Sequence, residues 1–189
     1  MELPVLVLVA FLVALVIRTL LVQPFFIPSR SMVPTLVEGD RVLVARFLYR
    51  LRDPKPGDVL VFRSPNPAEL QPVDRGPVGN LFVWLARAFG LRSTERDLIK
   101  RVVATGSQVV LIRGGTLRVD DVPVTEPYIA PGSSMSDYGP YRVPEDSVFV
   151  MGDNRNESQD SRVFGAVEKS RIVGKAFARI WPPNRLGGL

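Results

Sequence analysis

Two serines, Ser29 and Ser31, lie two residues apart in a segment whose backbone is stiffened by Pro28 and Pro34. Residues two apart face the same way in an extended segment. One hydroxyl could then attack a carbonyl carbon while the other donates a hydrogen bond to the developing oxyanion. Taken alone, however, the pattern is more typical of an ordinary polar loop.

The base for such a nucleophile is restricted by the composition of the chain. The 189 residues include no histidine and no cysteine, which excludes a Ser–His–Asp triad, a cysteine protease and a Cys/His zinc site. The proton acceptor must therefore be Lys, Asp, Glu or Tyr. Arginine cannot serve because it does not lose its proton, so each lysine is a candidate base. The lysines are Lys55, Lys100, Lys169 and Lys175.

Lys100 lies within the apolar strand pattern of residues 97–103. If the side chain points inward, burial lowers its pKa and the amine can act as a neutral base. An outward-facing strand lysine is the commoner arrangement, and the pattern alone does not decide between the two.

Residues 151–162, here called the polar segment, are dense in carboxylates, guanidiniums and amides. The segment is either a solvated surface loop or a loop ordered by internal ion pairs and Asx turns. Its spacing lacks the glycine and the terminal glutamate of a calcium loop, so no metal site is predicted.

The body of the chain consists of short apolar runs divided by 17 prolines and 15 glycines, which predicts a mainly β protein. The expected strands are Arg41–Ala45, Asp58–Phe62, Ile99–Ala104, Gln108–Arg113, Thr116–Val119, Ser147–Met151 and Val173–Ile180. The turn at Gly114 and Gly115 predicts a hairpin. Many short strands favour an antiparallel barrel-like or sandwich body. Residues 125–144, rich in Gly, Pro and Ser, are predicted to be a loop.

The N-terminal stretch Leu3–Val22 is apolar except at Arg18 and Thr19. As a helix its 20 residues would span about 30 Å, so residues 1–22 are predicted to form a transmembrane anchor. No basic residue precedes the run and no small-x-small site follows it, which favours an uncleaved anchor over a cleaved signal peptide. Arg18 and Arg30 would place the body in the cytoplasm by the positive-inside rule.

Two further features, an amphipathic stretch and a positive net charge, bear on what the body of the chain contacts. Residues 64–97 form an insertion with Leu81–Leu91 typical of an amphipathic helix, which either packs on the body or contacts lipid. The net charge of +5 invites a nucleic-acid interpretation, but the basic residues are spread among 19 acidic ones. A surface near anionic lipid is the better interpretation, and no nucleic-acid partner is predicted.

Together these segments resemble the bacterial type I signal peptidases. The four matching motifs follow that family's order behind an N-terminal anchor: Ser29–Leu36, Gly57–Phe62, Ile99–Val103 and Gly152–Gly165. The resemblance implies an endopeptidase that removes signal peptides from exported preproteins and needs no cofactor. It also implies a single-pass protein of the bacterial cell membrane with its catalytic domain on the extracytoplasmic side. That orientation is opposite to the one that the charge rule gives.

The resemblance assigns roles to individual residues. Ser31 is the implied nucleophile and Lys100 the implied general base, while Ser29 Oγ and the Ser31 N–H form the oxyanion hole. Ser158 is implied to orient Lys100. The residues implied to hold the shape of the site are Asp153, Arg155, Asp160, Arg162 and Arg101, the last as a partner of Asp153. The substrate is implied to bind as an added β-strand, with small pockets for the first and third residues before the cut.

The chain departs from the family pattern in several places. Arg30 replaces a frequent glycine between the two serines, and Asn156 and Glu157 replace the usual Asp and Asn. The short stretch between Lys100 and Gly152 implies a reduced second β subdomain. The expected organisation is an anchor (1–22), a catalytic β domain (23–106 and 147–189) and a small hairpin and loop subdomain (107–146).

Three alternatives remain at this point. Self-cleaving repressors share a similar Ser–Lys catalytic fold, but they carry a DNA-binding domain where this chain has a predicted membrane span. A relative that processes one dedicated secreted substrate is compatible with the sequence. A non-catalytic, membrane-anchored peptide-binding module is disfavoured because both Ser31 and Lys100 are present.

Overall fold

The computed structural model describes residues 4–7, 9, 11, 22–65, 97–130 and 132–189. Its strands are β1 (Val22–Phe26), β2 (Arg41–Ala45), β3 (Val59–Arg63), β4 (Asp97–Thr105), β5 (Val109–Arg113), β6 (Thr116–Val119), β7 (Val122–Pro123), β8 (Tyr138–Arg142), β9 (Ser147–Met151), β10 (Val167–Glu168), β11 (Ile172–Trp181) and β12 (Gly187–Gly188). They form two antiparallel sheets, which confirms the prediction of a mainly β protein.

The larger sheet has eight strands in the order β1-β2-β11-β3-β4-β9-β10, with β12 paired to β11. Strands β3 and β9 are buried almost throughout, which explains why both are continuous apolar runs in the sequence. Among the described strands β1 and β10 each pair on one side only, so the sheet is open. The predicted barrel-like closure is therefore wrong. Closure requires the two end strands to pair, and β10, with two residues, is too short an edge to do so.

One face of this sheet carries the core beneath the two serines. Ile27, Met32 and Leu36, from the segment between β1 and β2, are fully buried. They pack with Val42, Val44, Val59, Val61 and Ile99. Burying each such side chain contributes about 1.5–3 kcal/mol, so the segment that holds the serines is fixed by its own apolar residues.

The smaller sheet has the order β7-β6-β5-β8. Strands β5 and β6 form the predicted hairpin, whose turn residues Gly114 and Gly115 have φ angles of 53° and 75°. Glycine adopts such positive φ angles without a steric cost.

The prediction of a loop throughout residues 125–144 is wrong over β8. The strand pairs with β5, and the rings of Tyr138 and Tyr141 lie 5.6 and 5.4 Å from the ring of Phe149 between centroids. Tertiary packing thus orders a stretch that Gly139 and Pro140 make irregular in sequence.

The N-terminal stretch is described only in part. Residues 4–7, 9 and 11 are helical, and within the described ranges no helix is both long and apolar enough to cross a membrane. Val22, the last residue of the predicted anchor, instead begins β1 and pairs with Ala45, because β2 supplies hydrogen-bond partners for its backbone. The remainder of the predicted anchor and most of the 64–97 insertion, with Leu81–Leu91, lie outside the described residues.

Candidate active site

The two serines lie in residues 27–40, here called the serine segment, which connects β1 to β2. Its base is closed by hydrogen bonds from the Ile27 N–H to the Asp40 carbonyl (2.9 Å) and from the Gly39 N–H to the Ile27 carbonyl (3.0 Å). The Leu36 N–H donates to the Met32 carbonyl at 2.8 Å, so the backbone turns directly after Ser31. The geometry is a turn rather than the extended segment that the spacing suggested.

The hydroxyls of Ser29 and Ser31 nevertheless face one another, with 3.4 Å between the two Oγ atoms. Ser31 is buried and Ser29 is exposed. A group bound at Ser31 is therefore within reach of the Ser29 hydroxyl. The assignment of Ser29 to an oxyanion hole stays a prediction.

Lys100 reaches Ser31 from strand β4. Its side chain is directed inward, the residue is 3% exposed, and Nζ donates a hydrogen bond to Ser31 Oγ at 2.7 Å. Burial lowers the pKa of Lys100 to about 8, although the negative charges of Asp160 and Asp153 oppose the shift. An amine with that pKa is partly neutral near physiological pH and can accept a proton from the hydroxyl that it contacts.

The other three lysines have no such surroundings. Lys55 is exposed. Lys169 pairs with Asp53 at 3.0 Å and Lys175 pairs with Asp58 at 2.6 Å, both partly open to solvent. Among the described contacts of the four candidate bases, only Lys100 bonds to one of the two serines.

Arg101, next to Lys100 on β4, binds Asp153 of the polar segment through two parallel hydrogen bonds. Arg101 Nε donates to Oδ1 at 2.8 Å and Nη2 donates to Oδ2 at 2.6 Å. The guanidinium also lies over the ring of Tyr128, 4.1 Å from its centroid. The structure thus places Arg101 against the partner that the resemblance implied. Bidentate geometry of this kind fixes orientation as well as distance.

Asp160 and Arg162 form a second bidentate pair within the polar segment, with both distances at 2.8 Å. The Gly152 N–H donates to Asp160 Oδ2 at 3.0 Å. Although burial opposes it, these hydrogen bonds hold the pKa of the Asp160 carboxyl below its usual range. Asp160 is therefore ionised at neutral pH, and the polar segment is an ordered loop rather than a solvated one.

Arg155 finds its partner outside the polar segment. Its Nη1 and Nη2 donate to the two carboxylate oxygens of Glu126 at 2.7 and 2.5 Å, and its Nε donates to the Gly152 carbonyl at 3.0 Å. Glu126 follows β7 of the smaller sheet and its side chain is 5% exposed. Sequence reasoning missed Glu126 and Tyr128, because both lie in a stretch without periodicity and only the fold brings them to the site.

The polar segment also touches the serine segment directly. The Asn154 N–H donates to the Ser31 carbonyl at 3.1 Å, and Asn154 Nδ2 donates to the Arg30 carbonyl at 3.2 Å. A Cβ on Gly152 would lie 2.5 Å from the Ser31 carbonyl oxygen and 2.2 Å from Ser158 Oγ. Only glycine fits at this approach, which explains the residue type.

Ser158 is the one expected supporting residue whose contact is not formed. Its Oγ is buried and makes no hydrogen bond of good geometry with any described residue. The hydroxyl lies close enough to the Asp160 carboxylate to help lower its pKa. A hydrogen bond from Ser158 to Lys100 is absent within the described ranges, and the predicted orienting role stays a prediction.

A serine hydroxyl in contact with a buried lysine, on a β fold without histidine, is an arrangement in which lysine could serve as the base of a serine hydrolase. Comparisons with known proteins identify the family. A family profile described as "Signal peptidase, peptidase S26" matches residues 1–181. The chain belongs to this family of serine peptidases.

Two relatives of known name agree with the family profile. A signal peptidase I of Mycobacterium tuberculosis is 36% identical, with 98% of this chain and 74% of that protein covered. A probable signal peptidase I-1 of Synechocystis is 38% identical, with 97% of this chain and 84% of that protein covered. A crystal structure of a signal peptidase I from Enterococcus faecalis aligns with 66% of this chain and 97% of its own, at 23% identity and a TM-score of 0.45.

Proposed function

We propose that this chain is a signal peptidase I, an endopeptidase that removes N-terminal signal peptides from exported preproteins. The observation that carries the proposal is the 2.7 Å hydrogen bond between Lys100 Nζ and Ser31 Oγ, in a chain that belongs to this family. Similar proteins from bacteria bear the name of this activity over nearly the full length of the chain.

In the first step of the proposed reaction, neutral Lys100 accepts the proton of Ser31 as Oγ attacks the carbonyl carbon of the scissile bond. The tetrahedral intermediate carries its negative charge on the former carbonyl oxygen. The Ser31 N–H and the Ser29 hydroxyl donate hydrogen bonds to that oxygen. The intermediate then collapses, the C–N bond breaks, and Lys100 gives its proton to the departing amine of the mature protein.

In the second step, the signal peptide is held as an ester on Ser31. A water molecule attacks the ester carbonyl while Lys100 accepts a proton from it. Collapse of the second intermediate returns the proton to Ser31 and releases the signal peptide. Lys100 therefore starts and ends each half-reaction neutral. Its burial matters because burial lowers the pKa of the amine and so favours the neutral form.

The remaining site residues support this pair. In the proposal Asp153, Arg155, Asp160, Arg162 and Arg101 hold the polar segment against β4 and the serine segment. Ser158 orients Lys100. The substrate binds as an added β-strand, and small pockets accept small side chains at the first and third positions before the cut.

We further propose that the chain is a single-pass bacterial membrane protein. Residues 1–22 are its anchor, and the catalytic domain faces the extracytoplasmic side, where signal peptides emerge. Ser31 follows the anchor closely in sequence, so the site is held near the lipid surface. Leu81–Leu91 is a candidate for a second lipid contact.

The proposal is tested by cleavage of a preprotein with a small-x-small signal site, with the full chain in detergent and the new N-terminus sequenced. We expect cleavage directly after that site by the wild type and none by Ser31→Ala. Ser170→Ala, which removes an exposed hydroxyl bonded to Glu168, is the matched control and should cleave normally. A folded wild type that cuts none of several such preproteins would favour a relative with one dedicated substrate, or a non-catalytic module.

A further inference from the structure

Thr35 lies four residues after Ser31 in the serine segment, and its hydroxyl makes two contacts with charged groups. Oγ1 donates to Asp153 Oδ2 at 2.5 Å and accepts from Arg101 Nη2 at 3.3 Å. Hydrogen bonds to charged groups are stronger than those between neutral groups. A threonine hydroxyl that both donates and accepts here is fixed in one orientation.

The main-chain carbonyl of Thr35 is bound by two other guanidiniums. It accepts from Arg179 Nη1 at 2.7 Å and from Arg185 Nη2 at 3.4 Å. The same two guanidiniums lie near the fully buried carboxylate of Asp40, at 3.9 and 3.3 Å. Asp40 in turn accepts from the Val37 N–H at 2.9 Å.

The contacts of the Thr35 hydroxyl join the serine segment to two other parts of the site, strand β4 and the polar segment. Arg101 neighbours Lys100 on β4, so its guanidinium ties Thr35 to the strand that carries the base. Asp153 precedes Asn154, whose N–H donates to the Ser31 carbonyl. Thr35 therefore connects the serine segment to the base strand and to the polar segment by a route that does not pass through the Ser31–Lys100 hydrogen bond.

We propose that Thr35 is a positioning residue for the Ser31–Lys100 pair, acting through its hydroxyl on Asp153 and Arg101. The inference rests on the proposed function. Core packing of Met32 and Leu36 holds the serine segment on the sheet, but apolar contacts are non-directional and leave its sliding along β4 less restricted. The Thr35 hydroxyl adds a directional contact with Asp153 and Arg101. Loss of the Thr35 hydroxyl should change the alignment of Ser31 and Lys100 without changing contacts with the substrate.

The test compares Thr35→Val, which keeps the shape and removes the hydroxyl, with Thr35→Ser, which keeps the hydroxyl. We expect Thr35→Val to lower kcat about 10- to 100-fold with KM nearly unchanged, because small misalignments of reacting groups have effects of that size. Thr35→Ser should restore kcat to within about threefold of the wild type. The matched control is Thr105→Val, which removes a hydroxyl bonded to Gln108 Oε1 at 3.1 Å on the same strand as Lys100.

The outcomes separate this inference from the proposed function. Cleavage by the wild type together with an unchanged kcat in folded Thr35→Val overturns the positioning role and leaves the peptidase standing. Equal losses in Thr35→Val and Thr105→Val also overturn it, since the effect would then be a general loss of stability. Absence of cleavage by every variant and by the wild type contradicts both.

A second variant keeps the proposal testable if Thr35→Val does not fold. Thr35→Ala also removes the hydroxyl that contacts Asp153 and Arg101, and its smaller side chain places no methyl group against the Asp153 carboxylate. The proposal then requires a fall in kcat of several-fold with KM nearly unchanged. A kcat equal to that of the wild type overturns it.

Discussion

The chemistry of the site depends on how one lysine is solvated. Lys100 differs from the other three lysines in burial, not in residue type, and burial lowers its pKa to about 8. Its Nζ contacts a hydroxyl rather than a carboxylate, so no direct ion pair restores the charged form. In the proposed mechanism, this position in the fold makes Lys100 a base of the required strength.

The pH dependence of kcat/KM follows from this pKa. Below about pH 8 most Lys100 is protonated and cannot accept a proton, so the rate should fall about tenfold per pH unit towards acid. Above that value the amine is neutral and the rate should level off. Lys169→Arg should leave the profile unchanged, because Lys169 is a partly exposed ion-pair partner of Asp53. Steady-state rates measured between pH 6 and 10 with a substrate that does not titrate in that range would check this, and a maximum in acid would contradict it.

At the residue scale, the sequence limited the chemistry but not the geometry. The absence of histidine left Lys, Asp, Glu or Tyr as the proton acceptor, and the spacing of Ser29 and Ser31 indicated hydroxyls that face together. The direction of the Lys100 side chain could not be read from a strand with aliphatic residues on both sides. Thr35 and Glu126 gave no signal, because their partners are far away in sequence and only the fold brings them close.

At the scale of elements, the smaller sheet is attached to the catalytic core by charged contacts as well as by packing. Glu126 binds Arg155, and Tyr128 lies under the guanidinium of Arg101. Both contacts come from the stretch that follows β7. The sheet thereby contributes to the order of the polar segment, which in turn contacts Ser31.

Glu126→Gln should show the size of this contribution. The substitution removes the negative charge beside a fully buried guanidinium, so it should lower the free energy of unfolding by about 3 kcal/mol. Asp137→Asn is the matched control, because it removes the same kind of charge from the exposed pair with Arg113. Exposed pairs contribute little, and its denaturation midpoint should stay near that of the wild type. Urea denaturation of the wild type and the two variants would measure both effects. Equal midpoints for Glu126→Gln and the wild type would contradict a stabilising role of Glu126.

The strands that sequence reasoning found and those that it missed differ physically. Runs such as Val59–Phe62 are apolar because both faces of the sheet are covered, and such runs are visible in the sequence. Strands β1 and β8 were missed, and each contains a proline, Pro24 and Pro140. Both are end strands of their sheets, where a residue without an N–H is tolerated. An edge strand with proline looks like a loop until its partner is known.

At the scale of the whole molecule, the open sheet differs from the predicted barrel-like body, and the N-terminal stretch is described only in part. A pattern of short strands does not encode closure, because closure depends on whether the end strands meet. The described residues of the N-terminal stretch expose large apolar side chains, including Leu6, Val9 and Phe11. Such side chains are suited to lipid, which is the environment that the proposed anchor requires.

The anchor is tested by alkaline carbonate extraction of bacterial membranes that contain the full chain. We expect the wild type to stay with the membrane. Replacement of Leu6, Val9 and Phe11 by Asp should release it, because each charge costs about 2.5–3.5 kcal/mol in the centre of a membrane helix. Leu51→Asp, at an equally exposed apolar residue of the body, should remain bound. Release of the wild type by carbonate would contradict the proposed anchor.

The central claim is that Lys100 is the base for Ser31, and the single-turnover cleavage rate of Lys100→Arg tests it most directly. Arginine keeps the positive charge but cannot lose its proton, so the rate should fall by about 10²–10⁴-fold while the protein stays folded. Lys169→Arg makes the same change at a partly exposed ion pair and should cleave within about twofold of the wild type. If Lys100→Arg retains more than about a tenth of the wild-type rate, Lys100 is not the base and the account is wrong.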